Sequence, residues 1–141
     1  MPSARSSSKA AAPHDPFAPL QNAIARLHQS ARDYDRLAGA LPSDAANAAV
    51  REAALDQSLM HIEQALTTPQ GLPRRPWFRH QIYAPGFYTG YGVKTVPGVR
   101  EAIEQKQWTE ANQQIEIVAR VIENYAAQVD RATEIARGRT E

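Results

Sequence analysis

The chain has 141 residues, a length typical of one domain with its own core. It contains no cysteine, which excludes disulfides and thiolate metal sites, and its 16 basic and 15 acidic residues leave a net charge of +1. This balance argues against binding nucleic acid through phosphate neutralisation, and no apolar run approaches the length that spans a bilayer.

The first long helix follows a small, polar, proline-punctuated segment. Residues 1–16 predict a disordered linker or terminal extension, with an arm that orders against a partner as the alternative. Proline favours a helical first turn, so the helix is expected to begin between Phe17 and Pro19, and Gly39 with Pro42 should end it. Its apolar stripe is spaced by three and four residues. The stripe comprises Leu20, Ile24, Leu27, Ala31, Tyr34, Ala38 and Leu41.

A second long helix is predicted to run antiparallel to the first after a tight turn. Ser43 is expected to cap it and Asp44 to favour its first turn, while Pro69 and Gly71 stop it. The residues predicted to face the core are Ala46, Val50, Ala53, Leu59, Ile62 and Leu66.

The C-terminal part predicts one short and one long helix. Pro97 should open the short helix over 97–105, and Thr109 should cap the long one, with Trp108 packing back as a hydrophobic staple. Residues 138–141 are expected to fray. The buried stripe of the long helix is Ile115, Val118, Ile122, Tyr125, Val129, Ala132 and Ile135. The fold class is therefore all-α: a bundle of three long helices and one short helix.

Residues 72–98, LPRRPWFRHQIYAPGFYTGYGVKTVPG, break this helical pattern. They hold four of the ten prolines, four of the seven glycines and six of the ten aromatic residues. Such a segment is too apolar for a solvated linker and too interrupted for a helix. We expect a long crossing loop without regular backbone hydrogen bonding, and loops of this length in compact domains are usually functional.

No constellation in the chain predicts catalysis or a metal site. The four histidines, at positions 14, 28, 61 and 80, are scattered, and neither the H-E-x-x-H pattern nor a phosphate-binding or nucleophile motif occurs. The isolated chain is therefore expected to bind no zinc and to cleave no peptide.

The motif GLPRRPWFRHQIYAP, followed by a glycine-rich segment ending in PG and a long amphipathic helix, resembles the transferrin receptor-like dimerisation domain. This is the C-terminal helical domain of zinc peptidases similar to glutamate carboxypeptidase II, and the resemblance runs from Phe17 to Ile135. It implies a non-catalytic domain over 17–137, because the two zinc ions and the catalytic carboxylate of such enzymes belong to a separate peptidase domain.

The resemblance also implies partners: the parent's own peptidase domain and a homodimer partner. No nucleic acid and no membrane contact by this chain are expected, and zinc is expected only in the parent peptidase domain. Localisation stays open, although such parents are often exported or membrane-anchored. The alternative is a stand-alone helical interaction module that uses the same aromatic loop. Either way, we expect dimerisation or an exposed apolar patch.

In the family, the long loop closes one side of the substrate pocket. Glutamate-preferring members hold the terminal acidic residue of the substrate with a Lys-Tyr pair, and alignment on YAP and PG places Gly90 and Tyr91 there. Gly90 supplies no ammonium group, so a weaker preference for acidic substrates is expected. Lys94 is expected to be solvated, with the alternative that it reaches the pocket in place of the missing lysine. Phe87 and Tyr88 are expected to contact another domain or a substrate.

The large apolar residues in the first part of the loop can be assigned either of two roles. Trp77, Phe78, Ile82 and Tyr83 are expected to plug the open end of the bundle. The alternative is that they form an interface with another domain. The interface candidates are Trp77, Phe78, Arg79, His80 and Tyr83.

Overall fold

A computed structural model describes residues 14–40, 45–88, 90 and 92–138. Four α-helices account for most of them, which confirms the all-α class, with three long helices and one short one. A 3-10 helix and a two-stranded hairpin lie between the second and third helices. The elements in chain order are α1 Ala18–Ala38, α2 Ala45–Ile62, the 3-10 helix Glu63–Leu66, β1 Tyr83–Pro85, β2 Val93–Thr95, α3 Pro97–Glu104 and α4 Trp108–Ala136.

Helix α4 is the centre of the fold, and α1, α2 and α3 each pack against it. The predicted stripe of α4 is confirmed at Ile115, Val118 and Ile122, which are buried in the core. The remaining buried members of this core are Ala23 of α1, Val99 of α3 and Ala119 of α4. Two of these positions, Ala23 and Ala119, carry small side chains, and α1 packs along α4.

Helix α1 has the predicted bounds but a slightly rotated buried face. It carries Pro19 in its first turn and ends with Gly39 as its C-terminal cap. Ala23 and Ser30 are its buried residues, whereas the predicted core residue Ile24 is 39% exposed. Leu20 and Leu27 of the predicted stripe pack against the core, whereas Ile24, next to the buried Ala23, is on the outer side of the contact.

Helix α2 differs most from its prediction. None of residues 47–62 is buried, and Val50 and Ala53, both predicted to face the core, are exposed. Its apolar residues are spread around the helix, so contact with α4 covers only part of them. The predicted cap residues Ser43 and Asp44 and the turn between α1 and α2 lie outside the described residues.

Helix α3 begins at Pro97 as predicted, but α4 begins one residue before the expected cap Thr109. Trp108 is the first residue of α4 and is 61% exposed, so the predicted hydrophobic staple is wrong. The backbone closes this turn instead, because the Gln107 amide donates to the Ala102 carbonyl over 2.8 Å.

The segment between the 3-10 helix and α3 was wrongly expected to lack regular hydrogen bonding. Strands β1 and β2 pair antiparallel with Ala84 opposite Lys94, and the Gly86 amide donates to the Gly92 carbonyl over 2.9 Å. We call residues 86–92, which join the two strands, the hairpin connection. Within the part of the chain that is described, no helix has both the length and the apolarity that crossing a bilayer requires.

Candidate functional site

A buried ion pair lies beneath the hairpin connection. Arg75 is 2% exposed and Glu101 of α3 is 3% exposed, and Arg75 Nη2 lies 2.8 Å from Glu101 Oε2. Arg75 Nη1 also donates to the Pro85 carbonyl oxygen. Glu101 Oε1 accepts the backbone amide of Phe87 over 2.8 Å. One buried ion pair therefore binds the backbone on both sides of Gly86.

Aromatic rings surround the two neighbouring guanidinium groups. The Arg75 guanidinium carbon lies 5.7 Å from the ring centre of Phe78 and 5.6 Å from that of Phe87, distances at which a cation is attracted to a ring face. Arg74 approaches the Phe87 ring to 5.9 Å and pairs with Glu110 of α4 over 3.0 Å. The hydrogen bond to Glu110 raises the pKa of Arg74 above its usual value, despite opposing desolvation.

Lys94 is buried, so the prediction of a solvated side chain is wrong. Burial alternates along β2, and the central residue Lys94 turns inward, where it is 7% exposed. Its ammonium group pairs with Glu104 of α3, which also accepts from Arg100 Nε over 3.2 Å. The hydrogen bond from Lys94 is the main cause that holds the pKa of Glu104 below its usual value. The ion pair of Lys94 with Glu104 therefore anchors β2 on α3.

The hairpin connection presents aromatic rings outward. Phe87 is 44% exposed and Tyr88 is 49% exposed, with their ring centres 4.9 Å apart in an edge-to-face arrangement. Gly90 has φ of 71°, a conformation that favours glycine, and a Cβ built there would meet no atom within 4 Å. Tyr91 lies outside the described residues. The structure thus brings Phe87, Tyr88 and Gly90 together on one exposed connection.

The residues predicted to plug the bundle behave in two ways. Ile82 packs against the core and Phe78 is half-buried beside Arg75. Trp77 is 70% exposed and Tyr83 is 47% exposed, so the plug prediction is wrong for both. The interior position under this part of the loop is taken by Arg75 and Leu72, which leaves Trp77 on the outside of the turn. Of the other interface candidates, Arg79 is exposed and His80 is half-buried.

His80 organises the entry to the hairpin. Its Nδ1 atom accepts the amides of Ile82 and Tyr83, each over 3.3 Å, and its ring lies 4.0 Å from that of Tyr83. Glu63 of the 3-10 helix accepts the Tyr83 hydroxyl over 2.7 Å and lies 3.8 Å from His80 Nε2. Burial lowers the pKa of His80, with Glu63 opposing it, while the hydrogen bond to Glu63 raises the pKa of Tyr83. The sequence analysis named His80 and Tyr83 as interface candidates but missed Glu63, which lies 20 residues before Tyr83 in the chain.

Comparison with known proteins agrees with this arrangement of helices and loop. Residues 15–130 match the transferrin receptor-like dimerisation domain. The chain belongs to this family. The match extends from the residues just before α1 into the last turns of α4, and it includes the ion pair and the hairpin connection.

Relatives of this dimerisation domain carry names of peptidases. The chain is 38% identical over 89 residues to the probable glutamate carboxypeptidase LAMP1 of Arabidopsis thaliana, an alignment that covers 58% of the chain and 13% of the relative. It is 44% identical over 52 residues to a probable glutamate carboxypeptidase of Arthroderma benhamiae, covering 37% of the chain and 7% of the relative. The chain thus matches only a small part of each of these much longer proteins.

The described residues of the dimerisation domain contain no group of three or more histidine and carboxylate side chains that could hold a metal ion. The carboxylates nearest the hairpin connection already have cationic partners: Glu101 with Arg75, Glu104 with Lys94 and Glu110 with Arg74. These three ion pairs connect the loop to α3 and α4.

Acidification should weaken the dimerisation domain through His80. Because the folded state lowers the pKa of His80, the unfolded chain binds a proton first as the pH falls below the usual value of 6.5. Protonation also places a proton on Nδ1, which accepts two backbone amides. The free energy of unfolding, measured by urea denaturation, should therefore be higher at pH 7.5 than at pH 5.5.

His80→Asn is the matched variant, because its side-chain oxygen can accept the same amides without titrating. It should flatten the pH dependence, and His28→Asn on the exposed surface of α1 is the control for replacing a histidine elsewhere. An unaltered pH dependence in His80→Asn would assign the effect to other groups.

Proposed function

We propose that this chain is the non-catalytic helical dimerisation domain of a zinc peptidase similar to the glutamate carboxypeptidases. The hairpin connection then closes one side of the substrate pocket of the peptidase domain. Family membership and the names of the relatives support the proposal, as does the small share of each relative that the chain matches. The zinc chemistry of such a parent belongs to its peptidase domain.

The pocket role is supported by two exposed aromatic rings, Phe87 and Tyr88, that lie above the buried ion pair of Arg75 and Glu101. Phe87 and Tyr88 remain about half exposed although the backbone at Phe87 is held by the buried carboxylate of Glu101. Burying an apolar side chain contributes about 1.5–3 kcal/mol, so rings fixed outside the core forgo this stabilisation in the isolated chain. Aromatic groups held in this way are typical of contact surfaces.

The parent should not strongly prefer a terminal glutamate. In the alignment on YAP and PG, Gly90 takes the place of the lysine of the glutamate-preferring pair, and the ammonium group of Lys94 is paired with Glu104 instead. Loss of a charge-assisted hydrogen bond costs about 1.5–3 kcal/mol, which weakens the preference by roughly ten- to a hundredfold. Tyr91 is proposed to donate its hydroxyl to the substrate.

The proposed limits of the domain are 17–137, with 1–16 as a linker and 138–141 as a frayed end. Its proposed partners are the peptidase domain of the same parent and a second copy of the chain, without nucleic acid or membrane contact. Trp77 and Tyr83 are proposed interface residues because their rings are exposed beside the bundle. The exposed side chains Val50 and Met60 of α2, at 74% and 78%, offer a further apolar surface.

Mixing this chain with the peptidase domain of its parent tests the proposal. We expect complex formation by light scattering, restored peptidase activity, and similar kcat/KM on substrates that end in glutamate and in leucine. Tyr91→Phe should reduce turnover more than Lys94→Ala, with Tyr125→Phe in α4 as the matched control. A hundredfold preference for glutamate that Lys94→Ala abolishes would contradict the assignment of Gly90 and Tyr91. Failure of a folded chain to bind the peptidase domain would favour a stand-alone interaction module.

A further inference from the structure

We infer that Glu101 is the positioning residue of the hairpin connection: its carboxylate fixes the backbone from which Phe87 and Tyr88 project. This inference rests on the proposed function only for its consequence at the substrate pocket. The positioning itself follows from contacts within the chain and can be tested without the parent enzyme.

The helix that carries Glu101 is a fixed support. Helix α3 begins at Pro97, and its first three residues are buried, with Val99 part of the main core against α4. Glu101 is itself buried one turn further along. Its carboxylate is therefore held in a fixed position relative to α4. A backbone group that is hydrogen-bonded to this carboxylate is held in place as well.

Two backbone groups of the hairpin are held by this support. Glu101 Oε1 accepts the Phe87 amide over 2.8 Å, and Oε2 binds Arg75 Nη2 over 2.8 Å. The second nitrogen of the same guanidinium donates to the Pro85 carbonyl. The residues before and after the buried Gly86 are thus bound to the two halves of one ion pair.

A carboxylate is required because both of its oxygens act as acceptors. A glutamine of the same size has an NH2 group in place of one oxygen, so in the same orientation it presents a donor either to the Phe87 amide or to Arg75. Glu101→Gln therefore removes one of the two bonds without creating a cavity. Glu104, three residues later on α3, pairs with Lys94 of β2 and has no bond to the connection in the described residues. Glu104→Gln is the matched control.

Amide hydrogen exchange of the full chain at pH 7.5, followed by NMR, measures the positioning. In Glu101→Gln we expect the Phe87 amide to exchange at least tenfold faster, while the amides of Val118 and Ala119 in the core of α4 change much less. In Glu104→Gln the Phe87 amide should keep its rate. Equal acceleration at Phe87 and in α4 would reduce Glu101 to a general stabilising residue and overturn the inference, as would an unprotected Phe87 amide in the unaltered chain.

A second variant and a kinetic measurement complete the test. If Glu101→Gln does not fold, Arg75→Lys replaces it, because a single ammonium group cannot reproduce the fork that joins Glu101 to Pro85. It should accelerate exchange at Phe87 in the same selective way, and unselective acceleration again overturns the inference. In the reconstituted enzyme, Glu101→Gln should raise KM several-fold with a smaller change in kcat. Selective exchange without a change in KM would uphold the positioning and contradict the pocket role.

Discussion

Replacing Arg75 with methionine should lower the free energy of unfolding by about 3–5 kcal/mol, the cost typical of removing one partner of a buried ion pair. Methionine keeps the apolar stem but leaves the carboxylate of Glu101 without a cation, and that group is 4% exposed at its side chain. The Pro85 carbonyl loses its donor as well. Urea denaturation followed by circular dichroism measures the change.

Arg74→Met is the control for this variant. Arg74 also pairs with a glutamate and approaches the same Phe87 ring, but its side chain is 38% exposed. Exposed ion pairs contribute about 0–1 kcal/mol, so the loss should stay near that range. Equal losses in the two variants would contradict a special role of burial at Arg75.

Alanine at Gly71 should destabilise the chain by about 2–5 kcal/mol, the sum of left-handed strain and overpacking. Gly71 has φ of 67°, and a Cβ built there would lie 2.3 Å from the Pro76 carbonyl oxygen. This neighbour is backbone in the turn where the Leu72 amide donates to the Phe78 carbonyl over 2.8 Å. The clash cannot be relieved by a side-chain rotation, so the turn itself must shift. Thermal and urea unfolding provide the measurement.

Two other glycines separate the causes. Gly90→Ala has the same left-handed φ, at 71°, but no atom within 4 Å of the added Cβ, so only strain of about 1–2 kcal/mol is expected. Gly92→Ala has neither a positive φ nor a close neighbour and should be nearly neutral. A loss at Gly71 no greater than at Gly90 would show that the turn accommodates the methyl group.

Long, strongly periodic elements could be predicted from the sequence. Helix α4 repeats large apolar residues such as Ile115 and Val118 at helical spacing, and Pro97 marks the start of α3 locally. The buried side predicted for helix α2 was wrong at Val50 and Ala53, because the apolar residues of this helix form no single stripe. Whether Val50 is covered depends on a neighbouring surface, which local spacing does not specify.

The ion pairs that anchor the loop could not be predicted from local sequence patterns either, for a different reason. Arg75 and Glu101 are 26 residues apart, and nothing near either residue indicates its partner. The sequence predicted a solvated Lys94 because it follows Gly92 and Val93. Its side chain is buried because β2 pairs with β1 in a register that places Lys94 opposite Ala84. The motif around residues 72–98 nevertheless identified the family, because an unusual long motif carries information that helical periodicity lacks.

The two strands of the hairpin are bound to the bundle, whereas the connection between them carries exposed side chains. Pro85 is tied to Arg75, and Lys94 to Glu104, so both strands are tethered to the bundle on either side of residues 86–92. Among the described residues of the connection, neither Tyr88 nor Gly90 takes part in these two contacts. A substitution at the exposed Tyr88 can therefore change the surface of the connection with little effect on the fold. Under the proposed function, such changes would let substrate preference vary separately from stability.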